Sequence, residues 1–260
     1  MTNYMPTTPT PTAHADGALR QSVVGLVLAG TVFAAWLALH IYVMFAFELT
    51  WATLPLALGM AAVQAWLSVG LFIVSHDAMH GSLVPRGGAI NGAIGGALLF
   101  LYAGFGWRRM KRAHYAHHRA PGTPEDPDFS ADHPSQFWPW YATFLKRYFG
   151  WRSGLFVCSV VTVYWLVLQV PVEKIVLLYG LPAIASSMQL FYFGTYRPHR
   201  HDAACFADKH NARSETYGTL VSLATCFHFG YHHEHHRAPH VPWWGLPGVR
   251  RQTSRTEPTA

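Results

Sequence analysis

Charge is scarce in this chain of 260 residues: Asp, Glu, Lys and Arg make up 12% of it, against roughly a quarter in soluble domains. The shortage is uneven. Residues 23–47, 50–75, 153–172 and 175–196 contain no charged side chain, and each stretch can cross about 30 Å of hydrocarbon as a helix. This excludes an ordinary soluble domain and predicts an all-α integral membrane protein. Only Glu48 and Leu49 separate the first two stretches, and only Glu173 and Lys174 the last two, so the expectation is four transmembrane helices in two hairpins. Cysteine is scarce as well. Cys158, Cys205 and Cys226 show no C-x-x-C spacing and read as reduced packing residues. No G-x-G-x-x-G fingerprint, P-loop or fused haem domain occurs, so a redox enzyme built on this chain has to borrow its electrons. Residues 1–18 lack a basic n-region and are expected to form a disordered cytoplasmic tail, with 19–247 as one domain and 248–260 as a second disordered tail.

Basic residues are missing from one side. If both termini lie together, Lys174 is the only one of the 19 Lys and Arg in the two opposite turns. The positive-inside rule then puts both termini in the cytoplasm of a multi-pass inner-membrane protein. The net charge of +6, with the cluster Arg108, Arg109, Lys111 and Arg112, suits anionic headgroups; no compact basic domain is present to bind nucleic acid. A fifth uncharged run, residues 87–107, holds seven glycines and Asn91 and has basic residues at both ends. Crossing would separate the polar motifs on either side of it, so an interfacial or re-entrant segment is expected.

What the chain has in excess is histidine in tight boxes. His76 and His80 form HxxxH; His114, His117 and His118 form HxxHH; His232, His235 and His236 form a second HxxHH, with His233 out of frame. Neighbours three or four apart share a helix face, so each box can aim two or three imidazoles at one point. Each box also sits at the polar edge of an apolar run. A lone histidine in such a place is an ordinary interfacial residue, as expected for His14, His133 and His210, while His40 inside the first stretch is expected to hydrogen-bond a neighbouring helix. Three boxes on one face hold more donors than one ion can use and predict a two-metal centre in a cytoplasmic histidine-rich cap. A nitrogen-rich site open to oxygen chemistry suits iron, although zinc, copper and nickel also accept such ligands. Arg237 stands where a zincin HExxH would need histidine. Haem would take single histidines within facing spans, and a transporter would carry ligands at the midplane.

His199, just past the fourth stretch, is the candidate ninth imidazole, with His201 the weaker candidate. His228 is a possible ligand and more readily a buttress. Asp77 inside the first box, and Glu125, Asp126 and Asp128 after the second, are placed to accept outer ring N–H groups, which would fix the tautomer of a ligand; an ordinary turn is the alternative for residues 126–128.

The longer strings around the boxes carry a resemblance. His76-Asp77-Ala78-Met79-His80-Gly81, His118-Arg119-Ala120-Pro121-Gly122-Thr123 running into Asp126-Pro127-Asp128-Phe129, the stretch from Phe191 to His201, and Phe227 to His236 followed by Pro242-Trp243-Trp244-Gly245-Leu246-Pro247 resemble the membrane fatty-acid desaturase and hydroxylase superfamily. Within it they are most similar to the bacterial β-carotene ketolases. The resemblance implies two iron ions, O2, an external ferredoxin-type electron donor, and a carotenoid substrate oxidised at C4 of a β-ionone ring. β-Carotene would pass through echinenone to canthaxanthin, and hydroxylated carotenoids such as zeaxanthin would pass toward astaxanthin. Two hydroxylations at one carbon would give a gem-diol that loses water. Tyr102, Phe105, Trp107, Phe191 and Phe193 are then candidates to line a slot for a flat end group, although aromatics at an interface are commonly anchors. A carotenoid 3-hydroxylase, a fatty-acyl desaturase and a non-catalytic metal-binding protein remain as rivals.

Overall fold

A computed structural model describes residues 11–202 and 205–256, with side chains from 16 to 253. The described residues are helical and contain no strand. Helix α1 (Pro11–Ile41) continues through a π-helical turn, Tyr42–Ala46. Next come α2 (Leu54–His80), α3 (Gly88–Ala103), α4 (Trp107–Arg119) and α5 (Phe137–Tyr148). Helix α6 spans Trp151–Val167 and α7 spans Val172–His199. Three short helices follow: α8 (Thr219–Cys226), α9 (His232–Arg237) and α10 (Leu246–Thr256).

Three helices are long and apolar enough to cross a membrane, and up to five crossings result if the bent pairs α3–α4 (98°) and α5–α6 (84°) are each one span. Helix α2 is central. Its first half presents Ala57, Ala61 and Ala65 as a buried stripe, which lets helices approach closely where lipid provides no hydrophobic drive between them. Its second half is buried almost all round, from Leu67 to Met79. Gly81 (φ 74°) ends it: Ser82 N–H donates to Asp77 O and Gly81 N–H to Ala78 O, the Schellman pattern.

The second hairpin turns earlier than the charge pattern predicts. Helix α6 stops at Val167, Gln169 takes a left-handed φ of 53°, and Pro171 precedes the first turn of α7. Glu173 and Lys174 lie within α7. Proline has no N–H to donate inside a helix, so Pro171 marks the start better than the charges do. Buried Lys174 instead donates from Nζ to the carbonyls of Met44 (2.9 Å) and Phe47 (2.7 Å), closing the end of α1 and tying the hairpins together.

Residues 87–107 form α3 and a sharp corner. Gly104 (φ 67°) ends α3, where a Cβ would meet the Phe156 side chain at 2.6 Å. After the corner Trp107 folds back onto Gly95, whose missing Cβ leaves room for the indole. The chain therefore returns α4 to the end of α2 instead of carrying it away. Of the two expected tails, residues 11–18 belong instead to α1 and residues 248–256 to α10; residues 1–10 and 257–260 lie outside the described residues.

Candidate metal centre and cavity

Each box is delivered by a helix end. His76 and His80 occupy the last turn of α2, His114, His117 and His118 the second half of α4, and His232, His235 and His236 the whole of α9. Tyr115 pins α4 to α2 by donating to Met79 O (2.8 Å). Glu234, the acid between the third-box histidines, is buried and accepts from Arg250 on α10 (2.8 Å) and from Ser214, which sets the rotation of α9. His40 meets Tyr164 of α6 at 2.6 Å, the neighbouring-helix bond expected for it.

The nine candidate imidazoles fall into two groups. His76, His80, His114, His118 and His235 bring ring nitrogens within 4.8 Å of one another, and so do His117, His199, His232 and His236. Pairs of Nε2 atoms face each other across each group: His114 and His80 at 2.6 Å, His235 and His118 at 3.0 Å, His236 and His232 at 3.0 Å, His117 and His236 at 3.2 Å. Both nitrogens of buried His76 and the Nε2 of buried His199 have no hydrogen-bond partner. Converging lone pairs on buried neutral rings are costly unless something electron-poor lies between them. A cation fits both groups, and the clusters suit a metal centre.

Protonation of the third box agrees with that donor set. Burial, reinforced by neighbouring imidazoles, holds His232, His235 and His236 well below the ordinary value of 6.5, so these rings are neutral donors near neutral pH. Two rings of the second group are oriented from behind. His117 donates from Nδ1 to Asp126 Oδ2 (2.9 Å), and His199 donates from Nδ1 to the Asn211 carbonyl (2.7 Å), leaving each Nε2 to face the group. Burial alone would raise the Asp126 carboxyl, but the His117 ring and two backbone N–H donors hold it below the usual range.

Other candidates behave differently. Asp77 does not accept an imidazole N–H; its Oδ2 accepts the backbone N–H of Trp243 (3.0 Å), and its Oδ1 stays 3.6 Å from His76. It therefore fastens the segment after the third box to α2. Asp128 also makes no bond to a ring, lying 3.9 Å from His117 Nδ1 because Asp126 already occupies that proton. Burial raises Asp128 to about 6, and Tyr148 donates to its Oδ1. His228 belongs to neither group; it stacks on Tyr231 and Trp243, with its Nδ1 unpartnered. Glu125 accepts from Thr123 (2.9 Å) instead of an imidazole. His201 turns away, donating to Gly122 O (3.0 Å), and His233 pairs with Asp208 (2.9 Å).

A cavity of about 530 Å³ reaches both groups through His76, His114, His117 and His232. Tyr102 and Phe105 line it. Trp107, Phe191 and Phe193 do not: Trp107 fills the notch at Gly95, Phe191 is buried among Phe129, Trp140, Tyr141 and Tyr196, and Phe193 borders a separate pocket beside Arg197. The walls come instead from Phe72, Met79, Phe144, Tyr148, Ile184 and Phe229, spread over several helices with no shared sequence motif. Glu234 had no sequence signal beyond lying inside the third box, and Asn211 and Tyr148, away from every box, had none.

A sequence model of the family described as fatty acid desaturase matches residues 49–167 and 130–259. A beta-carotene ketolase of Paracoccus sp. (strain N81106 / MBIC 01143) is 49% identical over 239 residues, covering 92% of this chain and 97% of that protein. The chain belongs to the β-carotene ketolase branch of the fatty acid desaturase family. A second beta-carotene ketolase, from Paracoccus sp. (strain PC1), is 45% identical with the same coverages. A beta-carotene 4-ketolase of Protosiphon botryoides is 33% identical, over 92% of this chain and 66% of that protein. Membership in this family and the long apolar helices make this a membrane protein.

Proposed function

We propose that this protein is a β-carotene ketolase, introducing keto groups at C4 and C4′ of β-ionone rings with O2 at a centre of two iron ions. The observation that carries the reading is two groups of buried and half-buried imidazoles, four of which line an apolar cavity. The names of the relatives support the substrate class. His76, His80, His114, His118 and His235 would hold one ion; His117, His199, His232 and His236 would hold the other. With O2 and electrons from an external ferredoxin-type donor, the bound irons supply the oxidising power for an allylic C–H bond. Asp126 and the Asn211 carbonyl keep two ligand rings in register, and Phe72, Met79, Phe144 and Phe229 exclude water from the reacting carbon. Each round turns C–H into C–OH, consuming O2, two electrons and two protons and releasing water. Two rounds at one carbon give a gem-diol, which loses water to the ketone.

The same reading puts α1, α2, α6 and α7 across the membrane, with both termini and the histidine cap in the cytoplasm. The return of α4 to α2 and the clustering of exposed Arg108, Arg109 and Arg112 support it. Expression in a β-carotene-producing host, followed by chromatography of the pigments, tests the activity. Ketone at C4 is the expected product. An alcohol at C3 or a new double bond in an acyl chain would assign a sister enzyme instead, and bound metal with no oxidised product a non-catalytic protein.

A further inference from the structure

Among the described residues, Asp128 is the only carboxylate on a cavity wall made of apolar and aromatic side chains, small hydroxyls and imidazoles. It is held from three directions. Its Oδ1 accepts from Tyr148, its N–H donates to Asp126 Oδ1 (2.8 Å), and its carbonyl accepts from Trp140 Nε1 (2.7 Å). Its Oδ2 lies 3.9 Å from His117 Nδ1, beyond hydrogen-bond reach, and the proton on that nitrogen is committed to Asp126. No described residue donates to Oδ2. A fixed carboxylate oxygen beside an apolar cavity is costly until an O–H or N–H reaches it. It also stands next to His117, on the wall where His76, His114 and His232 of both groups meet the cavity and where a reacting carbon has to sit.

We propose that Asp128 is a positioning residue that accepts, at Oδ2, a hydrogen bond from a hydroxyl on the ring being oxidised, above all the C4 alcohol left by the first round. The inference rests on the ketolase reading. An unsubstituted ring enters with no polar handle, so the first round depends on shape alone. Once C4 bears O–H, Oδ2 holds the alcohol in the cavity and keeps the remaining C4–H turned toward the histidine groups. The second round then uses the same carbon. Asp128 itself is not consumed; it only accepts a hydrogen bond, while O2 and the electron donor drive both rounds.

The test uses purified, iron-loaded protein with β-carotene, O2 and a ferredoxin donor system, and reads 4-hydroxy against 4-keto products per bound iron. A hydrogen bond to a charged group is worth a factor of roughly 10–100. Asp128→Val is therefore expected to raise the alcohol-to-ketone ratio at least about tenfold, with Asp128→Asn between it and the wild type. Damage to the metal centre alone would lower both products together. A second measurement needs no turnover: without O2 or reductant, iron-loaded wild type should bind the 4-hydroxylated carotenoid about tenfold or more tighter than β-carotene, and Asp128→Asn should lose part of that preference. An unchanged product ratio in both variants, or equal wild-type affinity for the two pigments, would overturn the proposal. If the wild type forms no C4 product, the ketolase reading fails, and the binding preference still decides the role of Asp128.

Discussion

At the scale of single residues, His233 and His235 make the sharpest contrast. They are two positions apart on α9, yet His235 faces His118 at 3.0 Å and His233 faces Asp208 at 2.9 Å. His235→Ala should lose bound iron and ketone formation, whereas His233→Ala should keep most of both; metal analysis of purified protein together with pigment chromatography distinguishes them. The reverse pattern would mean that the frame of the third box is wrong. His199 makes a finer case. Its Nδ1 is fixed by Asn211 and its Nε2 lacks a partner within a four-histidine group. His199→Ala should weaken iron binding about 10–100-fold and regain activity in excess iron, while His201→Ala stays near wild type. Competition with a chelator of known affinity measures the difference, and unaltered iron affinity in the His199 variant counts against its place in the set.

At the scale of elements, the ends of helices matter more than their interiors. The second hairpin is registered on the first by Lys174, which supplies hydrogen bonds to two carbonyls at the end of α1. Lys174→Met removes the donor and leaves those carbonyls to find other partners, at a cost of about 1–3 kcal/mol. Thermal unfolding in detergent should show a lower Tm with iron content retained, because the site lies at the other end of α2. Parallel loss of iron would show that the two ends of the bundle are coupled.

At the scale of the whole molecule, two expectations follow from where the charges and the buried rings sit. Reporter fusions after residues 86, 120, 150 and 210 should read cytoplasmic, and fusions near residues 49 and 170 should read the opposite side; an opposite-side signal between residues 107 and 114 would make α3 a true crossing. The second concerns acid. Burial depresses His232, His235 and His236 below 6.5 in the folded chain, so below that pH the unfolded chain binds protons that the folded chain refuses. Stability of the metal-free protein is therefore lost as pH falls through 6.5, by up to about 1.4 kcal/mol per pH unit for each such ring. Chelated protein should melt at a clearly lower temperature at pH 5.5 than at pH 7.5, and equal melting would mean that the rings are hydrated and not buried.

Three boxes at helical spacing, each at the edge of an apolar run, were legible from the chain alone because spacing and hydropathy are local. A one-residue change of frame moves an imidazole to another face of its helix, so HxxHH already separated His235 from His233. The resemblance to the ketolases rested on strings equally local, and so did the helical character of the chain. What tertiary structure alone decided was every pairing between distant segments. Asp77 meets Trp243 across 166 residues instead of an imidazole, Asp126 takes the ring proton that leaves Asp128 open, and Phe191 is buried in a cluster where a cavity lining was expected. Even the turn before α7 depended on competition between a proline and two charges, settled once Lys174 could reach the end of α1. Local periodicity tells which face a side chain occupies; which other face it meets is set by how the helices pack, and no single segment contains that information.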